Sequence, residues 1–424
     1  MSAQTIFALS SGRPPAGIAV IRVSGPQAHH AGAALAGSLP APRTAVVRQL
    51  RNPATGELLD EVLLLRFDAP ASATGEDVVE FHCHGGRAVV DAISSVLGEL
   101  PDMRVAEPGE FTRRAFANGS MDLTEAEGLA DLIEAETQAQ RRAALAVAEG
   151  GLRRKVEEWQ DRLLTLSAIA ERAIDYDEED APLDPALPSE CASLAEELEF
   201  WLRRPRIEPL KQGIRVVAAG PPNAGKSSLI NAIVGEDRAI VTDIPGTTRD
   251  AIEVPFAIDG IPFLLTDTAG LRVSDDPVES IGIERAERLV RGAEILLWLG
   301  EPGERPDHDN AIQLAPKSDL GSSMWLSAHP VSVVTGSGLA ELMEMLVMRA
   351  RTLLPADDAI ALNRRQAALL AEAAEDLRAA VEECDGALLA DRLRQARWSF
   401  QRLTGRAGVD DVLDNLFGRF CLGK

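Results

Sequence analysis

The stretch Ile214-Arg-Val-Val-Ala-Ala-Gly-Pro-Pro-Asn-Ala-Gly-Lys-Ser-Ser-Leu-Ile230 decides how the centre of the chain folds. Its residues 220–227 match Gly-x-x-x-x-Gly-Lys-Ser/Thr, after an apolar run and before a helical pattern at Ser228–Ile233. This order predicts a loop whose backbone amides wrap phosphates, with the positive end of a helix behind them. A chance glycine-rich turn is the alternative, and it leaves the flanking strand and helix unexplained.

Two side chains of this loop have the chemistry to hold a nucleotide. Lys226 places a cation against the β and γ phosphates, and Ser227 offers a hydroxyl to Mg2+. Gly246-Thr-Thr-Arg-Asp250 and Asp267-Thr-Ala-Gly270 follow in the order typical of GTPases. A threonine of the first can complete the Mg2+ shell and order a switch loop. The aspartate of the second can reach Mg2+ through water, and its glycine amide can sense the γ phosphate.

A third motif, Lys317-Ser-Asp319, indicates which base is bound. The Asp319 carboxylate can accept hydrogen bonds from N1 and N2 of guanine, donors that adenine lacks. Pro316 stands where GTPases usually carry an Asn that braces the base and the loop, and Ser332-Val333 replaces the usual Ser-Ala. We therefore predict GTP over ATP, with recognition resting on Asp319 and a weakened affinity left open.

Length and composition set the outer limits. The 424 residues, 46% of them hydrophobic, suffice for two or three domains. A formal net charge of -23 repels polyanions, so nucleic acid must be contacted locally or through a partner. Four cysteines form no CxxC pair, and we find no basic signal-peptide region and no apolar run of membrane-spanning length. We expect a cytoplasmic protein that does not engage a membrane.

The fold class predicted is a multidomain chain with an α+β N-terminal domain and an all-α helical domain into which an α/β P-loop GTPase domain is inserted. The segments are 1–117, the first helical half 118–211, the GTPase domain 212–351 and the second helical half 352–424. Short apolar runs predict the strands of the inserted domain: Ile214–Ala219, Phe263–Thr266, Ile295–Leu299, Ile312–Ala315 and Val331–Val334. N-terminal strands are expected at Gly17–Val23, Val62–Phe67 and Val78–His82, and helices at 27–37 and 87–99.

Motifs along the whole chain resemble those of one family, the tRNA modification GTPases called MnmE or TrmE. They are Pro222–Leu229, Ala239–Asp250, Asp267–Arg272, Thr74–Gly86, Ala106–Phe116 and the tail Phe420-Cys-Leu-Gly-Lys424. The resemblance implies a K+-stimulated GTP hydrolase that acts as a homodimer with the FAD-dependent partner MnmG, in a heterotetramer. The implied product is an aminomethyl or carboxymethylaminomethyl group at C5 of the wobble uridine of certain tRNAs, which are bound mainly through the partner.

By resemblance, oxygens of Asn223, Thr242, Ile244 and Thr247 would hold K+, and Ser227 and Thr248 would hold Mg2+. The residue expected to orient the attacking water is Glu279. A loop-capping amide remains the alternative for Asn223, and a solvated carboxylate at a helix start remains the alternative for Glu279. The whole GTP-binding set predicted is Gly220, Asn223, Ala224, Gly225, Lys226, Ser227, Ser228, Thr242, Asp243, Ile244, Pro245, Gly246, Thr247, Thr248, Asp267, Thr268, Ala269, Gly270, Lys317, Asp319 and Ser332.

The family's N-terminal domain dimerises and binds a tetrahydrofolate, 5,10-methylene-tetrahydrofolate as carbon donor or the 5-formyl form. Arg22, Glu80 and Lys424 match its ligand residues, whereas Ser120 replaces a family lysine. The resemblance gives Cys421 a catalytic role in the modification chemistry, with a buried small hydrophobe as the alternative. Strand alternation puts the histidines of His82-Cys83-His84 on one face and the thiol on the other, which argues against a shared metal ion.

Two other classes of protein remain as alternatives. One is a GTP-controlled binding module, such as a ribosome-assembly switch, without modification chemistry; the folate-type residues and Cys421 disfavour it. The other is a P-loop ATPase, disfavoured by Asp319 and by the Gly246–Asp250 motif.

Overall fold

The computed structural model describes residues 4–175, 184–235, 240–241, 253–267, 287–321, 325, 327–356, 359–408, 410–418, 420 and 423. The chain divides into two compact units. The first comprises Met1–Ala130, Leu152–Glu157 and Gln401–Lys424, and the second comprises Asp131–Gly151 and Glu158–Phe400. The assignment of four sequence segments stays a prediction.

The strands are β1 Thr5–Leu9, β2 Ile18–Ser24, β3 Val46–Arg51, β4 Leu58–Phe67, β5 Val78–His84, β6 Met103–Val105, β7 Ile214–Ala219, β8 Ile240–Val241, β9 Glu253–Ile258, β10 Ile261–Asp267, β11 Ile295–Trp298, β12 Ala311–Pro316 and β13 His329–Val331. The helices are α1 Ala28–Ala36, α2 Arg87–Glu99, α3 Glu110–Ala117, α4 Leu123–Glu134, α5 Gln138–Ala148, α6 Gly151–Asp175, α7 Leu187–Leu202, α8 Glu208–Gln212, α9 Lys226–Val234, α10 Leu339–Leu353, α11 Arg364–Glu382, α12 Gly386–Thr404 and α13 Asp410–Phe417.

The first unit is built on a six-stranded sheet in the order β3-β4-β5-β2-β1-β6. Its strands are antiparallel except for β1 and β6, which pair in parallel. Helices α1 and α2 bury apolar side chains against the sheet, where Phe7, Ile21 and Phe81 share a core with Leu35 and Ile93. This antiparallel sheet with helices is the α+β arrangement predicted for the N-terminal part.

The second unit contains a seven-stranded sheet in the order β13-β12-β11-β7-β10-β9-β8. Strand β7 lies between β10 and β11 and pairs in parallel with both, so its carboxyl end opens at a shared edge of the sheet. Helices α9 and α10 contribute buried residues such as Leu229 and Leu342 to the core beneath the sheet. The carboxyl edge of such a sheet is where ligands bind in open α/β folds.

Helices make up the rest of the second unit. The Trp159 ring lies near-perpendicular to Trp201 at 5.3 Å between centroids and is stacked on Phe400 at 6.1 Å. The indole nitrogen of Trp159 donates to Glu197 at 3.0 Å, which satisfies the polar atom of a fully buried ring. Among the described residues, no helix combines the length and the hydrophobicity needed to cross a bilayer.

The predicted fold class is confirmed, with one strand in the wrong place. We expected a strand at Val331–Val334, but β13 ends at Val331 and Val334 is 86% exposed. The chain turns at Ser332, whose amide donates to the Ser337 carbonyl and whose own carbonyl accepts from Gly336. A hydrophobic run predicted the strand, but hydrogen bonding inside the turn ends it early.

Candidate nucleotide-binding site

The loop 220–225 connects the carboxyl end of β7 to the first turn of α9. Gly220 has φ of +149°, and a Cβ atom there would lie 3.1 Å from the backbone carbon of Leu299. Gly225 caps the helix with φ of +97°. Only glycine suits both the conformation and the close approach at position 220. The predicted strand, loop and helix are therefore all present, and the helix amino terminus faces the loop.

Lys226 is the first residue of α9 and is only 8% exposed. Its ammonium group donates to the backbone carbonyls of Gly220 at 3.0 Å and Pro221 at 2.9 Å. These bonds hold the cation across the loop, where phosphate oxygens can replace the carbonyls as acceptors. The placement fits the predicted role of Lys226 at the phosphates.

Ser227 and Asp267 meet because β7 and β10 are parallel neighbours with Asp267 in register with Ala218. The Ser227 hydroxyl donates to Asp267 Oδ2 at 2.5 Å, and Asp267 is 6% exposed. A hydroxyl and a carboxylate side by side are hard oxygen donors of the kind that Mg2+ prefers. The donor set therefore fits Mg2+, with Ser227 as the direct ligand and Asp267 beside it.

Asp319 lies beyond the carboxyl end of β12, a strand of the same sheet. It belongs to the 3-10 turn Ser318–Leu320. The fully buried Ser332 donates its hydroxyl hydrogen to Asp319 Oδ1 at 2.6 Å. The same hydroxyl accepts from the Thr335 amide at 3.3 Å. Ser332 thus fixes one oxygen of the carboxylate, which orients Asp319 to accept hydrogen bonds from a guanine.

Lys317 forms a contact with the phosphate loop that the sequence did not predict. Its backbone is left-handed, with φ of +59°, and its ammonium donates to the carbonyl of Asn223 at 3.1 Å. The base-recognition turn is therefore tied to the phosphate loop by Lys317 itself. This bond supplies a brace of the kind that the Asn expected at position 316 would provide. Spacing in the sequence could not show it, because it depends on a backbone carbonyl.

Asn223 lies in the loop with φ of +61° and an exposed side chain. Among the described residues its side-chain amide forms no hydrogen bond that would support the loop-capping alternative. An amide oxygen is a suitable ligand for a hard cation, so Asn223 fits K+. Ala224 lies in the loop and Ser228 in the first turn of α9, as predicted. Thirteen other predicted site residues lie outside the described part of the chain: Thr242, Asp243, Ile244, Pro245, Gly246, Thr247, Thr248, Thr268, Ala269, Gly270, Glu279, Cys421 and Lys424.

In the first unit, the predicted folate residues Arg22 and Glu80 face each other across β2 and β5. Arg22 Nε donates to Glu80 Oε1 at 2.8 Å, and Glu80 Oε2 lies 3.1 Å from His82 Nε2. The Arg22 guanidinium also lies 5.7 Å from the centroid of the Phe111 ring, a neighbour that sequence reasoning missed. A cation, a carboxylate and an aromatic face suit a folate, which offers an anionic tail, ring N–H groups and a flat pterin.

Gly423, the last described residue before the terminal lysine, packs against β1. Its φ is +93°, and a Cβ atom would lie 1.9 Å from the carbonyl oxygen of Leu9. No side chain can be accommodated there without moving the tail. The glycine of the tail motif is therefore required by packing within the first unit.

The His82-Cys83-His84 segment follows the predicted alternation. Cys83 is buried in the core, where burial raises the pKa of its thiol to about 11. His82 contacts Glu80, and His84 Nδ1 lies 2.8 Å from Asp60. Each histidine thus has its own carboxylate partner, whereas the thiol is buried in the core.

A phosphate loop with Lys226 and Ser227, an aspartate at the adjacent strand end and a base-recognition turn at the same sheet edge define a P-loop GTPase. Comparison with known proteins narrows this class. The family profile described as the GTP-binding protein TrmE N-terminus matches residues 5–120, and the profile of the MnmE helical domain matches residues 123–421. The chain therefore belongs to the MnmE family, also called TrmE.

Curated relatives match over their full length. The tRNA modification GTPase MnmE of Erythrobacter litoralis is 52% identical over 99% of this chain and 100% of its own. That of Rhizorhabdus wittichii is 52% identical over 100% and 97%, and that of Novosphingobium aromaticivorans is 50% identical over 99% of both chains. The solved G domain of the T. maritima FeoB iron transporter is 24% identical over 32% of this chain, with a TM-score of 0.21. A TM-score this low supports no conclusion about this chain.

Proposed function

We propose that this protein is a K+-stimulated GTPase that drives tRNA modification at C5 of wobble uridines. The observation that carries the GTPase part is the pair of bonds made at one sheet edge, Ser227 to Asp267 and Ser332 to Asp319. The first prepares the phosphate end of the site and the second prepares the guanine end. Membership of the MnmE family supports the tRNA part.

In the proposed reaction, Asp319 accepts hydrogen bonds from guanine and Lys317 keeps the base-recognition turn attached to the loop. Lys226 holds positive charge against the β and γ phosphates while the bond to the γ phosphate breaks. Ser227 and Thr248 would hold Mg2+, and Asn223, Thr242, Ile244 and Thr247 would hold K+. When bound, these ions supply positive charge to the phosphate oxygens. Glu279 would orient the attacking water.

The second half of the proposal concerns the transferred carbon. Arg22, Glu80 and Lys424 would bind the tetrahydrofolate derivative, which supplies one carbon when present. The chain would act as a homodimer with the FAD-dependent MnmG partner, in the cytoplasm. The product would be an aminomethyl or carboxymethylaminomethyl uridine.

The proposal is tested on tRNA nucleosides. A strain lacking this gene should lose the C5-modified wobble uridine in mass spectra, and the native gene should restore it. Ser227→Ala, which removes the Mg2+ hydroxyl, should not. Unchanged nucleosides together with altered ribosome profiles would favour the GTP-controlled binding module instead.

Two variants separate the proposed catalytic roles. Glu279→Ala should bind GTP normally and hydrolyse it at least about 100-fold more slowly, because only the water is misplaced. Cys421→Ser should keep GTP hydrolysis and lose tRNA modification. Full tRNA modification by the Cys421→Ser variant would favour the alternative, in which Cys421 is only a small buried hydrophobic residue.

A further inference from the structure

A cleft of about 650 Å3 lies at the amino end of β7. Its lining includes Leu202, Arg206, Glu208, Arg215, Glu294 and Ala371. Arg215 is the second residue of β7, whereas Gly220 follows the last, so the cleft and the phosphate loop are about 16 Å apart along the strand. The cleft is therefore separate from the nucleotide site.

Arg206 is the unusual residue of this cleft. Its Nη1 atom is buried and has no hydrogen-bond partner in the part of the chain that the structure describes. Buried side-chain donors in folded proteins nearly always have a partner, so an unpartnered guanidinium nitrogen calls for an explanation. Arg206 lines the cleft, and no ion pair of its side chain is found among the described residues, so the guanidinium is free to pair with an anion there.

The two carboxylates of the cleft form hydrogen bonds with groups other than Arg206. Glu294 pairs with Arg215, whose Nε lies 3.3 Å away, and it also accepts from the Arg215 amide at 2.8 Å. Glu208 accepts from the backbone amide of Arg364 at 2.5 Å. Three arginines stand against two glutamates here, in a protein whose net charge is -23. The cleft is thus locally positive and suited to an anion.

Apart from Gln212, the remaining side chains of the lining are apolar. Leu202, Pro209 and Ala367 contribute carbon surface, and Ala367 is 5% exposed. Small-molecule sites characteristically combine such surface with a few polar groups that fix orientation. We propose that this cleft binds a small molecule that carries an oxyanion, a carboxylate or a phosphate, on an apolar body. Arg206 pairs with the oxyanion through a charge-assisted hydrogen bond, and the alanines contact the body.

The test uses the full-length protein with GDP and Mg2+ saturating the phosphate loop, so that no probe can bind there. Phenyl phosphate, benzoate and the neutral benzyl alcohol are titrated by calorimetry at constant ionic strength. We expect at least one anion to bind saturably and the alcohol not to bind; the tighter anion tells carboxylate from phosphate. Arg206→Met should weaken that binding at least 10-fold. Arg203→Met, at an exposed neighbouring arginine paired with Glu199, should leave it unchanged.

Ala371→Glu is a second variant that does not touch the buried guanidinium. Ala371 is exposed on α11, so the substitution should fold and repel the anion from the rim. Loss of binding in Ala371→Glu would support the site even if Arg206→Met were unstable. Absence of saturable binding to the native protein, or binding that survives both Arg206→Met and Ala371→Glu, would overturn the proposal.

Discussion

In the proposed site, base selection depends on a single carboxylate that is held by a single hydroxyl. Asp319 is exposed, but its Oδ1 is fixed by the buried Ser332. A carboxylate complements the N–H groups at N1 and N2 of guanine, whereas an amide at the same place would complement the C2 carbonyl of xanthine. We therefore expect the direction of hydrogen bonding at residue 319 to set which nucleotide binds.

Asp319→Asn should lower GTP affinity by about 100-fold or more, because two hydrogen bonds to a charged acceptor are replaced by a mismatch. Affinity for xanthosine triphosphate should rise at the same time. Competition against a fluorescent GTP analogue measures both changes. Equal displacement by GTP before and after the substitution would contradict the role given to Asp319.

Ser332→Ala tests the hydrogen bond that holds Asp319, and leaves the proposed guanine-binding carboxylate itself unchanged. Loss of one hydrogen bond to a carboxylate should cost about 1–2 kcal/mol, which is roughly a 10-fold loss of GTP affinity. Ser337→Ala is the matched control, since Ser337 is exposed in the same turn and its side chain forms no hydrogen bond to a site residue in the described ranges. The GTP affinities of the two variants are compared by the same competition assay. Similar affinities would show that Ser332 does not support guanine binding.

At the level of elements, β6 and α3 of the first unit are joined by an ion-pair network around Glu110. Arg104 donates to both oxygens of this carboxylate at 2.7 and 2.6 Å, Arg114 donates at 3.0 Å, and the Glu107 amide donates at 2.9 Å. Burial alone would raise the pKa of Glu110, but these bonds outweigh it and lower the pKa from 4.5 to about 2.

A lowered pKa in the folded state means that ionised Glu110 stabilises the fold above pH 4.5 and loses this effect as pH falls toward 2. Glu110→Gln should therefore lower the free energy of unfolding at pH 7 by about 2 kcal/mol, with a smaller difference from the native protein near pH 3. Denaturant unfolding at the two pH values measures it, with the exposed Glu57→Gln as control. A difference that does not shrink in acid would contradict the network.

Sequence patterns predicted the elements around the site well where hydrophobic runs are fully buried. Strand β7 has the predicted bounds, and the helical pattern predicted at Ser228–Ile233 lies within α9, which begins two residues earlier at Lys226. The antiparallel strand β9 was not predicted, because its sequence contains Pro255 and proline is uncommon inside a sheet. The Lys317 brace and the Ser332 contact were also beyond reach, since both depend on where a turn folds back in space.

For the whole molecule, net charge and proposed function must be reconciled. A chain with a net charge of -23 repels the tRNA backbone at long range, so the partner would carry most phosphate contacts. We expect this protein alone to bind tRNA with a dissociation constant of about 1 µM or weaker at physiological salt. Filter binding with and without the FAD-dependent partner measures it. Tight binding by this protein alone would contradict the division of labour.

In the proposed function, one site selects guanine through Asp319 and uses a monovalent cation at Asn223 to speed hydrolysis. The most direct measurement is phosphate release by the full-length protein from GTP and from ATP, each in K+ and in Na+ at equal ionic strength. We predict hydrolysis of GTP in K+ at least 10-fold faster than in Na+, and little hydrolysis of ATP in either salt. Equal rates in the two salts, or equal rates with the two nucleotides, would contradict the account.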